Sequence, residues 1–326
     1  MRRREFITVL GGAAAAWPLA ARAQQQAVPV IGWLNHFDGQ VDLDMVSFNR
    51  GLTETGYVVG HNVALERRDA KGERARLPEL AADLVRRRVA VIIATTGSAV
   101  QVAKAATQTI PIVFGMAGDP VETGTVASLN RPGGNLTGVA LLGAEIAGKR
   151  LELLHKLMPA ANPIAVFEGS PNIDLARVET RGLQSVARAL GLRLLVFNIE
   201  TENEIAGAFA TLVEQHAGAL FLGTSSVFTA TRAQIISLAV RHAIPTSFFD
   251  PISVAEGALL GYTPDREDAY RQIGIYTGRI LKGEKPANLP VLQPTRFKFV
   301  INLKTARIIG LDIPPSLLAL ADEVIE

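Results

Sequence analysis

Short apolar runs alternate with longer amphipathic stretches from about residue 28 to the end of the chain. Runs such as Val89–Ala94 are continuous and rich in β-branched residues, which is typical of parallel strands that are buried on both faces. Stretches such as Leu77–Arg88 carry apolar residues at helical spacing, with Pro78 in the expected first turn. The pattern therefore predicts successive βαβ units and an α/β fold with parallel sheets.

The order of the predicted elements divides the chain in two. Strands are predicted at 28–34, 63–67, 89–94, 110–114, 136–142, 163–167, 192–198, 219–222, 244–249 and 295–301. Helices are predicted at 42–55, 77–88, 98–107, 144–157, 175–190, 202–215, 229–242 and 265–281, and after Pro315. A turn-forming cluster at 131–135 is followed by a segment that could carry the chain into a second βαβ series, and 258–262 could carry it back.

We therefore expect two doubly wound parallel-sheet lobes joined by a hinge. The first lobe would comprise residues 27–140 plus about 262–290, and the second lobe 141–261 plus about 291–326. Ligands of open α/β sheets bind beyond the carboxyl ends of the strands, so two such lobes would share a ligand in the cleft between them.

The first 23 residues have the features of an export signal. Arg3 and Arg4 precede an apolar stretch at 7–19, and Ala21-Arg22-Ala23 fits a small-x-small cleavage pattern. The R-R-E-F sequence and the mildly apolar, Ala- and Gly-rich stretch predict a twin-arginine signal, cleaved after Ala23 in the periplasm. An uncleaved anchor is the alternative, but the apolar stretch is shorter than the roughly 20 residues that span a bilayer.

Composition removes several classes of site. The chain has no cysteine, which excludes disulfides, thiolate metal sites, a cysteine nucleophile and a lipoprotein anchor. The signal segment carries four arginines and Glu5, a charge of 4 − 1 = +3, so the remainder of a chain with net charge +2 carries 2 − 3 = −1. We therefore expect no nucleic-acid partner, although the whole sequence is basic.

Motifs for common exported enzymes are missing from the sequence. It contains no G-x-G-x-x-G after a strand, no phosphate-binding loop, no H-E-x-x-H and no G-x-S-x-G. We accordingly assign no catalytic residue, no cofactor and no metal site.

Small polar residues at strand ends are the candidate ligand contacts of the first lobe. They are Asn35, His36, Thr96, Gly97, Ser98, Ala117 and Asp119. Free backbone N–H groups at the start of the helix near Ser98 suit a carboxylate, although Ser98 could simply cap that helix. Asp119 precedes Pro120, a layout that also fits a turn or a helix cap.

The second lobe offers acidic and hydroxyl groups at the corresponding places. Its candidates are Glu168, Ser170, Asn172, Thr224, Ser225, Asp250 and Tyr262. Glu168 and Asp250 could receive a ligand ammonium group, or could cap helices or face water. A ligand that bridges the cleft would therefore present any ammonium group to the second lobe, and its carboxylate to the N–H groups of the first lobe.

Several segments resemble one family in order along the chain. They are N-R-P-G-G-N at 130–135 with Thr137-Gly138, K-R-L-E-L-L at 149–154, I-L-K-G at 280–283 with Lys285-Pro286, and F-V-I-N-L-K at 299–304. They are similar to segments of ABC-transporter substrate-binding proteins, a family that includes tryptophan- and phenylalanine-type binding proteins. The resemblance implies a type I periplasmic-binding-protein fold, three crossings between the lobes and delivery of the ligand to a membrane permease. It places first-lobe contacts at Asn35, 96–99 and 117–119.

We therefore expect a periplasmic solute-binding component of an ABC importer, without enzymatic activity, for an amino acid or an aromatic or carboxylate compound. Two alternatives remain open at the level of the sequence. One is a ligand-sensing module for a membrane receptor, which would share the fold, and the other is an exported α/β enzyme.

Overall fold

The computed structural model describes residues 28–36, 41–141, 145–169 and 174–326. Its strands are β1 (Val30–Asn35), β2 (Ala64–Asp69), β3 (Val91–Ala94), β4 (Ile112–Met116), β5 (Leu136–Ala140), β6 (Ile164–Glu168), β7 (Leu194–Asn198), β8 (Ala219–Leu222), β9 (Thr246–Phe248), β10 (Leu260–Pro264), β11 (Phe297–Asn302) and β12 (Glu323–Ile325). Its α-helices are α1 (Val41–Glu54), α2 (Leu77–Arg86), α3 (Gly97–Ala106), α4 (Glu145–Leu157), α5 (Asp174–Leu190), α6 (Glu202–Glu214), α7 (Ser226–Ala230), α8 (Arg232–Arg241), α9 (Pro251–Ala255), α10 (Arg266–Leu281), α11 (Leu303–Ile308) and α12 (Pro315–Leu318). Short 3₁₀ helices lie at Arg74–Arg76 and Pro286–Asn288.

The described strands form two sheets of the doubly wound type, as the alternating pattern predicts. The first sheet has the order β2-β1-β3-β4-β5, and every pair in it is parallel. The second sheet has the order β12-β11-β10-β9-β8-β6-β7. Its pairs are parallel except for β10 and β11, which are antiparallel with Leu260 opposite Ile301, so β11 and β12 run opposite to the other five strands. The predicted fold of two doubly wound parallel-sheet lobes is confirmed, with one antiparallel pair near the edge of the second sheet.

Each sheet has an apolar cluster on both of its faces. Successive residues of a strand point to opposite sides, so one continuous apolar run contributes to both clusters. In β3, Val91 and Ile93 pack on one side of the first sheet with Trp33 and Phe48, whereas Ile92 packs on the other side with α2 and α3. The second sheet repeats this arrangement, with one apolar cluster under α4 and α5 and another under α6 and α8. The continuous apolar runs of the sequence correspond to this two-sided burial.

The chain returns to the first sheet after it has built most of the second. Strand β10 belongs to the second sheet, but α10, which begins two residues after β10 ends, packs against α1 and the first sheet. The Thr137 hydroxyl then donates to the Leu289 carbonyl at 2.7 Å, and the Ala140 N–H donates to the Leu292 carbonyl at 2.9 Å. The chain enters the second sheet again at β11.

Helices α1 and α10 run side by side with their backbones in close contact. A Cβ atom added at Gly274 would lie 2.1 Å from the Phe48 carbonyl oxygen, and one at Gly51 would lie 1.9 Å from the Arg271 carbonyl oxygen. Gly278 makes a similar approach to Thr55. Glycine is therefore required at these positions because no side chain fits between the helices.

Two segments differ from the sequence-based expectation. The single helix predicted at 229–242 is broken at Thr231, whose hydroxyl donates to the Val227 carbonyl at 2.7 Å beside its own backbone N–H at 2.9 Å. The C-terminal stretch is helical only over α12, and then forms β12 beside β11. There the Asp322 carboxylate accepts the Phe299 N–H at 2.7 Å, a long-range contact that favours a strand.

Candidate ligand-binding cleft

The first-lobe candidates come together at the carboxyl ends of β1 and β3. The Thr95 hydroxyl donates to Asn35 Oδ1 at 3.2 Å, and Ser98 Oγ lies 3.3 Å from His36 Nδ1. Thr96 Oγ1 accepts the Ala99 N–H at 3.2 Å, so Thr96 is the N-cap of α3. Ser98 is already inside the helix, and the interpretation of Ser98 as the cap was wrong.

His36 connects this cluster to the loop after β2. Its Nε2 lies 3.1 Å from the Gly72 carbonyl oxygen. Burial lowers the pKa of His36 below its ordinary value of 6.5, against the contact with Gly72, and the nearby Arg74 lowers it further. The imidazole is therefore neutral at pH 7, and it can orient a ligand by hydrogen bonding without adding a positive charge.

Ala117 and Asp119 follow β4, and they have different roles. Asp119 Oδ1 accepts the N–H groups of Val121 at 2.6 Å and Glu122 at 3.2 Å, so its carboxylate stabilises a turn. Ala117 lines the pocket between the two sheets. Gly97 opens α3 with no atom within 4 Å of a Cβ placed there.

Three second-lobe candidates also stabilise local structure. Ser225 caps α7 through the Val227 N–H at 3.3 Å. Asp250 caps α9, accepting the Ser253 N–H at 2.8 Å and its hydroxyl at 2.7 Å, and it is 8% exposed. Tyr262 stacks on Phe297, with ring centroids 5.5 Å apart. Ser170 and Asn172 lie outside the described residues.

A buried charged group, which the sequence analysis did not identify, lies beneath the second-lobe strand ends. Arg150 is completely buried, donates from Nη2 to the Leu222 carbonyl, and lies 4.0 Å from the centroid of the Phe221 ring. Its Nε and Nη1 atoms have no hydrogen-bond partner. Burial lowers the pKa of Arg150 to about 10. The signal was present in the sequence, because Arg150 falls on the apolar face of α4, three residues after Ala147 and four before Leu154.

Glu179 on α5 is the carboxylate partner in this group. It accepts the Thr224 N–H at 2.7 Å and thereby holds the residue that follows β8 and lines the cleft. Burial raises the pKa of Glu179 to about 7, and Arg150 opposes the rise. Glu168 nearby is 5% exposed and accepts the Thr180 hydroxyl, while its Oε1 has no partner. Burial also raises the pKa of Glu168.

A pocket lies between the two sheets, and we call it the interlobe pocket. Its described lining residues are Ala117, Leu141, Ile146, Thr224, Phe249, Thr263, Pro264 and Arg266. The sequence analysis named Ala117 and Thr224 of this set as ligand contacts. Arg266 was missed entirely.

The described residues were considered for a membrane span and for a metal site. No helix among them is both long enough and apolar enough to cross a membrane. Within the same residues, no group of three or more His, Asp or Glu side chains is placed to hold a metal ion. The predicted twin-arginine signal, residues 1–23, lies outside the described residues.

Comparisons with known proteins agree with this architecture. A tyrosine-binding protein from Clostridioides difficile is 26% identical over 261 residues, which cover 80% of this chain and 74% of that protein. The structure of an ABC domain from Streptococcus pneumoniae in complex with L-Trp is 26% identical, with a TM-score of 0.83 over 92% of this chain and all of that one. A conserved domain protein from Vibrio cholerae, 24% identical, shares the fold with a TM-score of 0.85 over 91% of this chain and all of that one.

The family model described as "ABC transporter substrate binding protein" matches residues 28–325, nearly the whole described chain. This chain therefore belongs to the family of ABC transporter substrate binding proteins.

Proposed function

We propose that this protein is the exported binding component of an ABC importer. In this role it holds an amino acid or a related aromatic carboxylate between two lobes and delivers it to a membrane permease. The observation that carries the proposal is the interlobe pocket, which takes its lining from both sheets and from the segment that joins them. A ligand there contacts two rigid units at once, as a binding protein requires. The family is one of solute-binding proteins rather than enzymes.

The proposed lobes follow the sheets. The first lobe contains the first sheet with residues 27–140 and takes in α10 and the chain as far as about residue 290. The second lobe contains residues 141–261 and about 291–326. Strand β10 pairs with β9 at Leu260 and Gly261 and with β11 as far as Pro264, so we extend the second-lobe segment from 261 to 264 and place the return to the first lobe at Asp265. The Asp265 N–H donates to the Arg296 carbonyl at 2.9 Å, so two of the connecting segments touch at this point.

The chemistry of the interlobe pocket supports a ligand with an apolar body. Leu141, Ile146, Phe249 and Pro264 supply apolar surface, and the remaining polar lining is sparse. Mostly apolar walls with a few placed polar groups are typical of small-molecule sites. A relative named for tyrosine and a neighbour solved with L-Trp make an aromatic amino acid the first ligand to test.

Ligand identity is tested on the purified protein. Denaturing the purified protein should release a small carboxylic acid, which mass spectrometry would identify. A thermal-shift screen of amino acids and aromatic acids should find compounds that raise the unfolding temperature. A screen in which no amino acid or aromatic acid stabilises the protein, together with a released molecule that lacks a carboxyl group, would contradict the ligand class.

The proposed location is the periplasm. The twin-arginine sequence at Arg3-Arg4 and the cleavage pattern ending at Ala23 support export of the folded chain with removal of the signal.

A further inference from the structure

Arg266, the first residue of α10, carries a guanidinium that is fixed on one edge. Its Nε donates to Asp44 Oδ1 and its Nη2 to Asp44 Oδ2, both at 2.7 Å, and Nη2 lies 3.3 Å from the Tyr270 hydroxyl. This is a bidentate arginine–carboxylate pair, which fixes the guanidinium plane as well as its position. The close packing of α1 against α10 brings the two residues together across 222 positions of the chain.

The pair is asymmetric in its exposure. The Asp44 side chain is only 8% exposed, whereas 37% of the Arg266 side chain is exposed. Within the described part of the chain, Arg266 Nη1 makes no hydrogen bond, and Arg266 lines the interlobe pocket. The carboxylate therefore occupies the inner edge of the guanidinium and leaves the outer edge open to the cleft.

The Arg266 guanidinium is the only formally charged group among the described lining residues of this pocket. The other lining residues are apolar or carry a hydroxyl group, so an anionic group that enters the pocket finds a cationic donor only at Arg266. A ligand carboxylate would be held by the two N–H groups of Arg266 Nη1, since Nη2 already donates to Asp44 and to Tyr270. On the opposite lobe, Asp250 is close enough to Arg266 to act on it electrostatically, and it would favour an ammonium group beside the bound acid.

We propose that Arg266 binds the carboxylate of the cleft ligand through its open edge, and that Asp44 is its positioning residue. The inference rests on the proposed function and makes it more specific: the ligand is a small acid with an apolar body, recognised by a guanidinium beside the hinge. It assigns the acidic group to Arg266 rather than to the start of α3 around Ser98. A contact so close to the crossing segments moves little when the lobes rotate, so the acid can dock before closure.

The experiment compares an acid with its neutral amide. Isothermal titration calorimetry measures L-tryptophan, L-tyrosine and their carboxamides with the wild-type protein, with Arg266→Gln/Asp44→Asn, and with Asp44→Asn alone. The double variant keeps a hydrogen-bonded pair at the site without a buried unpaired charge. We expect wild-type protein to bind each acid about ten- to a hundredfold more tightly than its amide, since hydrogen bonds to charged groups are of that strength.

In the double variant this acid-to-amide ratio should fall to about one to three, because the acid loses much more affinity than the amide. Asp44→Asn alone should lower the ratio partway, because the guanidinium keeps its charge and loses its alignment. A purely structural role of the pair would weaken acid and amide equally.

A matched control lies on the same two helices. Arg271 makes the same bidentate contact with Glu54, at 2.8 and 2.7 Å, and does not line the interlobe pocket. Arg271→Gln/Glu54→Gln should keep the wild-type ratio. If Arg266→Gln/Asp44→Asn also keeps it, the assignment of the carboxylate to Arg266 is wrong, while the proposed function stands. If Ser98→Ala alone abolishes the ratio, the acid binds at α3 instead. If none of the four compounds binds wild-type protein, the aromatic amino acid ligand is wrong and the inference fails with it.

Discussion

The backbone contact between α1 and α10 makes a sharp prediction about stability. In Gly274→Ala the new methyl carbon would lie 2.1 Å from the Phe48 carbonyl oxygen and 2.7 Å from the Leu52 nitrogen. Ordinary contact begins near 3.4 Å, so the helices would have to separate by about 3.4 − 2.1 = 1.3 Å. Both obstructing atoms belong to backbone, and no side-chain rotation can relieve the overlap.

The expected magnitude combines two opposing effects. Overpacking of a well-packed core costs about 1–3 kcal/mol, and a backbone clash belongs at the upper end of that range. Replacing glycine by alanine within a helix contributes about 1 kcal/mol in the other direction. We therefore expect Gly274→Ala to lower the free energy of unfolding by about 2 kcal/mol.

Gly207→Ala is the matched control. Gly207 is also inside a helix, α6, but it is exposed and has no atom within 4 Å of an added Cβ. Only the helix propensity changes there, so this variant should be stabilised by up to about 1 kcal/mol. The same substitution should thus have opposite signs at the two positions.

Urea unfolding monitored by circular dichroism measures both variants. Trp33 packs against Phe48 at 5.0 Å and Tyr270 at 6.2 Å between ring centroids, so its fluorescence reports on this region of the first lobe. The chain's other tryptophan, Trp17, lies in the proposed signal. A Gly274→Ala variant that is as stable as wild type, or that gains stability as Gly207→Ala does, would refute the backbone contact between α1 and α10.

Four further predictions concern other parts of the molecule. The folded-state pKa of Glu179, about 7, lies above its ordinary value of 4.5, so this carboxyl stabilises the folded state at low pH and loses that contribution as the pH rises from about 4.5 to 7. The urea midpoint of wild-type protein should therefore fall between pH 5 and 7.5, and Glu179→Gln should make that fall smaller. An unchanged slope would be evidence against a buried proton on Glu179. Thr96→Ala should cost about 1 kcal/mol of stability through loss of the α3 cap, whereas Ser98→Ala should stay within about 0.5 kcal/mol; equal losses in thermal unfolding would contradict the assignment of the cap. Replacing Arg3 and Arg4 by lysine should leave uncleaved precursor in the cytoplasm, and normal periplasmic accumulation on fractionation would argue against the twin-arginine route. Saturating ligand should reduce the radius of gyration in small-angle scattering if the empty protein is open, because contacts shared by two rigid units favour the closed form; an open protein whose radius does not change on binding is incompatible with the clamp.

The strands and most helices could be predicted because their determinants are local. Val91–Ala94 is apolar on both faces, and the amphipathic spacing after Leu77 continues for three turns, so periodicity alone identifies both elements. Where a long-range contact decides the structure, the local pattern was insufficient. Strand β12 exists because Phe299 and Asp322 exchange hydrogen bonds, and nothing near Asp322 in the sequence indicates that partner.

The same difference between local and long-range determinants applies to the residues of the candidate site. Asn35, Thr96 and Ala117 could be proposed because they lie at or just after the ends of strands, and strand ends of a parallel sheet meet at one edge. Arg266 follows a strand as well, but its pairing with Asp44 depends on how α10 packs against α1. Asp250 and Asp119 show a different limit: their carboxylates cap a helix and stabilise a turn, and sequence alone does not separate that role from ligand binding.

The late return of α10 to the first sheet determines when each half of the molecule can fold during synthesis. Until the ribosome has passed residue 281, the face of the first sheet that holds Trp33 and Phe48 has no α10 to cover it. The second sheet likewise lacks β11 and β12 until the last residues are made. The first half cannot be finished before most of the second has been translated, and the second is completed only after the first, so both reach the native state late in synthesis. A protein assembled in this way is suited to a translocation route that accepts completed, folded molecules, and a truncation anywhere before residue 265 would deprive both halves of essential packing.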